Sequence, residues 1–228
     1  MTRPESDPVG SPRSQEAESF SDKTPLSARG PSKEFLRSTP IIDWEQSEIR
    51  SLAARLAGDL PPLAAAARCF DWVRDEVRHS ADSADHRVTL IASDVLRFRT
   101  GMCYAKSHLL AAMLRSIGIP CGFAYQRLVD EQSSAGFCLH GLNGVWLEAY
   151  GWYRIDPRGN REGVSTRFDP PTEILAYTPR CTGETMIDRV FSDPLAVVVE
   201  SLSKHDNVSA LCEDLPDWDG VSLFELRS

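Results

Sequence analysis

The stretch TGMCYAKSHLLAAMLRSIGIP, residues 100–120, sets the thiol of Cys103 at the mouth of a predicted helix. Gly101 lets the chain turn, and Leu109, Leu110, Met113, Leu114 and Ile117 then recur at the three-and-four spacing of one buried helical face. Gly118 and Pro120 end the pattern. The unpaired N–H groups of a helix start, together with the helix dipole, favour a thiolate. Thiols so placed, or paired with imidazolium, have pKa values of about 3.5 to 7.5, against about 8.5 when free. The same N–H groups can hold the oxyanion of a tetrahedral intermediate. Read alone, a cysteine here is more often a small buried hydrophobe at a helix end, so only its context argues for chemistry.

That context is LHGLNGVWLEAYGWYRIDPRGN, which puts His140 on one predicted strand and Asp156 near the end of the next, with a turn at about Tyr150-Gly151. Antiparallel pairing of the two strands brings imidazole and carboxylate side by side. A carboxylate on one ring nitrogen fixes the tautomer and leaves the other nitrogen to take the proton of Cys103, which is the division of labour between orienter, base and nucleophile. A metal reading, with ligands drawn from Cys103, His108, Cys138 and His140, lacks any Cys-x-x-Cys or His-x3-His spacing. His108 follows Cys103 by five residues, does not share its helix face and is a poor base. Tyr104, Trp146, Trp152 and Tyr153 are expected in the core, with an acyl pocket or part of the oxyanion hole as the alternative, and Arg158 is expected to be solvated, with binding of an acidic substrate group as the alternative.

The elements that must position these groups follow from periodicity. STPIIDWEQSEIRSLAARLAG predicts a helix with Asp43 as cap, Gln46 as its reciprocal partner, and Gly58 as its end. A second helix starts at Pro61-Pro62, carries Leu63, Ala66, Phe70, Val73 and Val77, and runs to about His79; SDVLRF reads as a short helical turn. After Pro120, GFAYQRLV, FCLHGLNGVWLEAY and WYRID read as neighbouring antiparallel strands, and Asn143-Gly144 leaves open a tight hairpin inside the second of them. RGNREGVSTRFDPP reads as loop, and PLAVVVESLSK as a last strand or helix. Helices followed by strands give an α+β fold class.

Residues 1–38 are rich in Pro, Ser, Glu and Arg and lack periodic apolar positions, so a disordered tail is expected there, followed by one domain over residues 39–228. A net charge of −8 argues against nucleic acid as a partner. The most apolar stretch, around Leu109, is broken by Lys106, Arg115 and Gly118, so no membrane span is expected. The first residues contain no apolar signal-peptide region, so the cytoplasm is the expected compartment and the six cysteines are expected as free thiols. Oligomeric state leaves no readable signal.

Taken in order, GMCYAKSHLLAAMLRSIGIPC, LHGLNGVWLEAY and WYRIDP, with FDWVRDEVRH upstream, resemble the transglutaminase-like superfamily of papain-type thiol enzymes over residues 70 to 160 or so. The resemblance implies a papain-like core in which N-terminal helices, with the nucleophile at a helix N-terminus, pack on an antiparallel sheet. It implies Cys103 as nucleophile, His140 as general base and acid, and Asp156 as the residue that orients His140. The implied reaction is acyl transfer from a peptide, protein or small amide, or from an ester, through a thioacyl-enzyme to water or an amine, with no cofactor and no metal. Many members read His-x-Trp-x-Glu where this chain reads His140-Gly141-Leu142-Asn143-Gly144-Val145-Trp146, and Asp-Pro-Thr where it reads DPRGN. These departures motivate an alternative, a non-catalytic binding module that keeps the fold and has a closed or filled cleft at Cys103.

Overall fold

The computed structural model describes residues 30–83, 85–130 and 136–219. Helix α1, Ser47–Ala57, buries Ile49, Leu52 and Ala53 on one face and ends at Gly58, whose φ of 49° suits a residue without a Cβ. The expected cap is not made: Gln46 is the N-cap residue and contributes no side-chain hydrogen bond. Asp43 Oδ1 instead accepts from the Ser93 N–H at 3.0 Å, tying the start of α1 to helix α3, Ala92–Phe98. Helix α2, Pro62–Glu76, buries Ala65, Ala66, Cys69, Phe70 and Val73. It stops three residues short of His79, which lies instead on the two-residue strand β1, Arg78–His79, beside the parallel strand β2, Thr100–Gly101. The stop has a tertiary cause. Lys106 donates from Nζ to the carbonyls of Arg74, at 3.1 Å, and Val77, and so satisfies the end of α2 from another helix.

Helix α4, Cys103–Ser116, is buried at every position from Cys103 to Arg115. It packs against α1, α2 and α3 and against strands β3, Cys121–Val129, and β4, Phe137–Leu147. A helix enclosed all round must find partners for its polar groups within the protein. Arg115 does so by donating to the carbonyls of Cys121 at 2.9 Å, Arg37 at 3.0 Å and Ser192 at 2.6 Å.

The antiparallel sheet runs in the order β5-β4-β3-β8, with β5 at Gly151–Ile155 and β8 at Thr185–Met186. The Asn143-Gly144 pair makes no hairpin. Asn143 lies mid-strand between Phe123 and Ile155, and its buried Nδ2 donates to Ser107 O at 3.0 Å and Gly122 O at 3.1 Å. Together, helices and sheet form the α+β class expected from the element order and the papain-like core that the resemblance implies. Part of the expected loop after Asp156 pairs as β6, Arg167–Asp169, and β7, Thr172–Ile174. PLAVVVESLSK resolves as helix α5, Ala196–Lys204, because Val198, Ser201 and Leu202 share the buried face at helical spacing; α6, Val208–Glu213, follows.

Over residues 1–29 the expected tail lies outside the described residues. Its last part differs from the expectation. Lys33–Leu36 forms a 3-10 helix, the Phe35 ring lies 4.6 Å from that of Trp152, and Trp44 Nε1 donates to Leu36 O at 3.1 Å. Composition missed this because one aromatic ring and a few backbone carbonyls find partners that are distant in sequence.

Candidate active site

Cys103 is the first residue of α4, preceded by an extended Met102, and is 6% exposed. Strand β4 runs directly over this first turn. The Gly141 N–H donates to Cys103 Sγ at 3.5 Å, and Tyr104 donates its hydroxyl to Leu139 O, so the strand is held on both sides of His140. Gly141 makes the approach possible, since a Cβ there would lie 2.7 Å from Tyr104 Cδ1 and 3.2 Å from Tyr104 Cα. The glycine after the histidine, read above only as a departure from the commoner family pattern, thus has a steric reason.

His140 and Asp156 meet where the sheet expectation put them. Ile155 pairs with Asn143, so Asp156 falls one residue past the end of β5 and reaches His140 diagonally. Nε2 of His140 and Oδ2 of Asp156 are 2.8 Å apart. Asp156 is fully buried, and its carboxylate also accepts from the Arg158 N–H and the Ala176 N–H, both at 3.0 Å. Burial works against its charge, but His140 and the two backbone amides outweigh it and hold the carboxyl below its usual range. Burial likewise works against the imidazolium. Asp156, Cys103 and the hydrogen bonds to both of them prevail, and His140 stands well above the ordinary imidazole value. The Tyr177 ring meets the His140 ring edge-on, with centroids 4.9 Å apart.

Cys103, Tyr104 and His140 line an open cavity of about 700 Å³. Also on its wall are His79, Asp82 and Arg158, of which only Arg158 had been weighed as a substrate contact. Arg158 corrects an expectation: it is 4% exposed rather than solvated, and its two terminal nitrogens donate to the two Asp82 oxygens at 2.6 and 2.9 Å. The helix-like run read as ending at about His79 put that histidine in the wrong element. Ala176 and Tyr177 follow β7 in a segment without periodicity, and nothing in the sequence marks them.

The remaining titratable groups of α4 face away from the cavity chemistry. His108 is buried, with Nδ1 2.7 Å from Leu90 O and its ring edge-on to Phe123, and burial pushes it down to about 4, so it stays neutral. Of the four aromatics weighed for core or pocket, Tyr104 and Tyr153 are buried, while the rings of Trp146 and Trp152 pack on each other at 5.7 Å. All six cysteines are unpaired. Among the described residues no three His, Cys, Asp or Glu side chains are grouped to hold a metal ion, and no helix is long and apolar enough to cross a membrane.

A thiol at a helix mouth, packed under an antiparallel strand that carries an imidazole backed by a buried carboxylate, defines a papain-like α+β protein. Residues 50–157, a little under half of the chain, match the model of the transglutaminase-like superfamily, so this core is transglutaminase-like. An uncharacterized protein of Mycobacterium leprae is 24% identical over 127 residues, which are 54% of this chain and 43% of that protein. The chain therefore spans less than half the length of that relative. A candidate cysteine protease from Cytophaga hutchinsonii superposes with a TM-score of 0.44 at 18% identity, over 54% of this chain and 40% of that one. The periplasmic domain of TgpA from Pseudomonas aeruginosa, in its ethylmercury-bound structure, gives a TM-score of 0.40 at 22% identity, over 57% and 50% of the two chains.

Proposed function

We propose that this chain is a cysteine-dependent acyl-transfer enzyme in which Cys103 is the nucleophile, His140 the general acid and base, and Asp156 the orienting carboxylate. The thiolate attacks the carbonyl carbon of an amide or ester. The electron pair of the C=O bond moves onto oxygen, where unpaired N–H groups of the first turn of α4 can receive it. Collapse of this intermediate breaks the bond to the leaving group, which takes its proton from the His140 imidazolium and leaves a thioester on Cys103. Neutral His140 then takes a proton from water or an amine as that nucleophile attacks the thioester, and the thiolate and imidazolium are restored. Water makes the reaction a hydrolysis; an amine makes it a transamidation.

The observation that carries this reading is the 2.8 Å contact between His140 and the buried Asp156, with His140 and Cys103 both on the wall of one cavity. The binding-module alternative calls for a closed or filled cleft, and an open cavity beside the sulfur favours the enzyme. Peptides, proteins and small amides are the proposed substrates, and the cytoplasm, where unpaired thiols persist, is the proposed compartment. No role for nucleic acid, membrane, metal or other cofactor is included. Iodoacetamide at neutral pH tests the nucleophile: Cys103 should alkylate at least about tenfold faster than the other five thiols. Cys103→Ala should abolish turnover of any amide or ester found in a substrate screen. Equal reactivity of all six thiols, or turnover that survives Cys103→Ala, ends the proposal.

A further inference from the structure

We infer that the cleft beside Cys103 recognises a substrate bearing a carboxylate, through a subsite built from His79, Arg161 and Arg180 on the Asp82–Arg158 ion pair. The inference rests on Cys103 as the nucleophile, because that choice makes this cavity the substrate cleft.

The subsite follows from hydrogen-bond donors on the cavity wall that lack an acceptor. Arg158 and Arg161 share one carboxylate, that of Asp82. Arg158 engages both of its oxygens, and Arg161 Nε is left 3.6 Å from Oδ1, beyond hydrogen-bond reach. Arg180 also lines the cavity and pairs with no carboxylate among the described residues. Acidic groups on the cavity wall are already engaged elsewhere. Glu184 accepts from the N–H groups of Val129, Arg180 and Cys181 at 3.0, 2.7 and 2.8 Å, and Asp130 has a partner of its own. By count the guanidinium groups of Arg158, Arg161 and Arg180 match the carboxylates of Asp82, Asp130 and Glu184, and what the wall offers a ligand is unfilled donor capacity on Arg161 and Arg180.

His79 adds a directional donor. Pairing of β1 with β2 sets it opposite Gly101, two residues before Cys103. Its side chain is 8% exposed, and Nδ1 has no hydrogen-bond partner, with Asp82 Oδ2 at 3.8 Å. An orphaned buried nitrogen on a cavity wall is costly unless a ligand completes it. Burial, and then the charge of Arg158, lower its pKa to about 3, so the ring is neutral and offers one N–H. Distance to the chemistry is short: the Arg158 guanidinium lies 5.8 Å over the Tyr177 ring, which itself packs edge-on against His140. His79, Asp82, Arg158 and Arg161 also line a second cavity of about 320 Å³, so they form a wall that both cavities share. A carboxylate bridging Arg161 and the His79 N–H would give the guanidinium a hydrogen-bonded acceptor and satisfy the ring together.

The test uses two alkylators that differ only in a carboxylate, N-chloroacetylglycine and N-chloroacetylglycinamide, with mass spectrometry reading the modification of Cys103. The acid should react at least about fivefold faster than the amide at low salt, the worth of one exposed charge-assisted contact. That ratio should fall towards one in Arg161→Gln and as salt is raised. A second measurement needs no reaction at sulfur: N-acetylglycine and N-acetylglycinamide are titrated into the Cys103→Ala protein, with the His79 ring signals followed by NMR. Equal rates and equal binding for acid and amide overturn the inference. So does a preference for the acid that persists unchanged in the Arg161→Gln/Arg180→Gln double variant. A Cys103 inert to both alkylators, in a protein that still binds N-acetylglycine in preference to its amide, removes the nucleophile and leaves the carboxylate subsite standing.

Discussion

The His140–Asp156 contact sits where neither group could carry charge alone, because each is buried and each depends on the other and on Cys103 or backbone amides. In the folded chain His140 holds its proton above the ordinary value of 6.5. Its contribution to stability is therefore fully present below that value and is lost as pH rises through the raised one. Asp156→Asn removes the largest group favouring the imidazolium, so the His140 ring signals in an NMR titration should move to a lower midpoint, and the alkaline limb of any kcat/KM profile should move with them. A midpoint unchanged by the substitution would mean that Asp156 does not set the charge of His140. Lys106 gives the opposite case. Burial, then the charge of Arg158, lower it from 10.5 to about 7, so the unfolded chain binds more protons between those values and stability rises with pH across that window. Lys106→Met should flatten that rise in urea denaturation series taken at pH 7 and pH 10. The types and order of Cys103, His140 and Asp156 were legible in the sequence. The partners that tune them, Ala176, Tyr177 and the Asp82–Arg158 pair, were not, since each reaches the site from a segment without a repeating pattern.

At the scale of elements, the site depends on how closely β4 lies on the first turn of α4. Gly141→Ala puts a methyl group 2.7 Å from the Tyr104 ring, and the two elements must separate by a fraction of an ångström. Overpacking of this kind costs about 1–3 kcal/mol of stability. The misplaced Gly141 N–H and His140 should lower alkylation of Cys103 and any ester turnover by about tenfold or more. A variant with unchanged Cys103 reactivity would show that the close approach is not needed. Helices α1, α2 and α4 and strands β3, β4 and β5 could be read from periodicity because each buries one face or is enclosed entirely. The ends could not. Periodicity carries α2 on to His79, but Lys106 takes the carbonyls of Arg74 and Val77 and the chain leaves the helix at Val77. Asn143-Gly144 is a turn signal by composition, yet the Asn143 amide is spent on Ser107 and Gly122 inside a continuous strand.

For the molecule as a whole, Arg115 is the staple that joins the end of α4 to β3, to the segment after the 3-10 helix and to the Ser192 loop. Arg115→Met keeps much of the packing but strands three carbonyls, and should destabilise the protein by about 3 kcal/mol or more, read as a lowered urea midpoint with an unchanged m-value. An unchanged midpoint would show that water replaces those bonds without cost. The sequence by itself determined the α+β class, the thiol at a helix mouth, and the positions of His140 on one strand and Asp156 at the end of the next, because these follow from local periodicity and strand alternation. Only the tertiary structure decided that Arg158 is buried against Asp82, that His79 borders the cleft, and that residues 33–38 pack on the domain. Those outcomes depend on contacts between segments dozens of residues apart, whose free energies come from desolvation and pairing and leave no periodic trace along the chain.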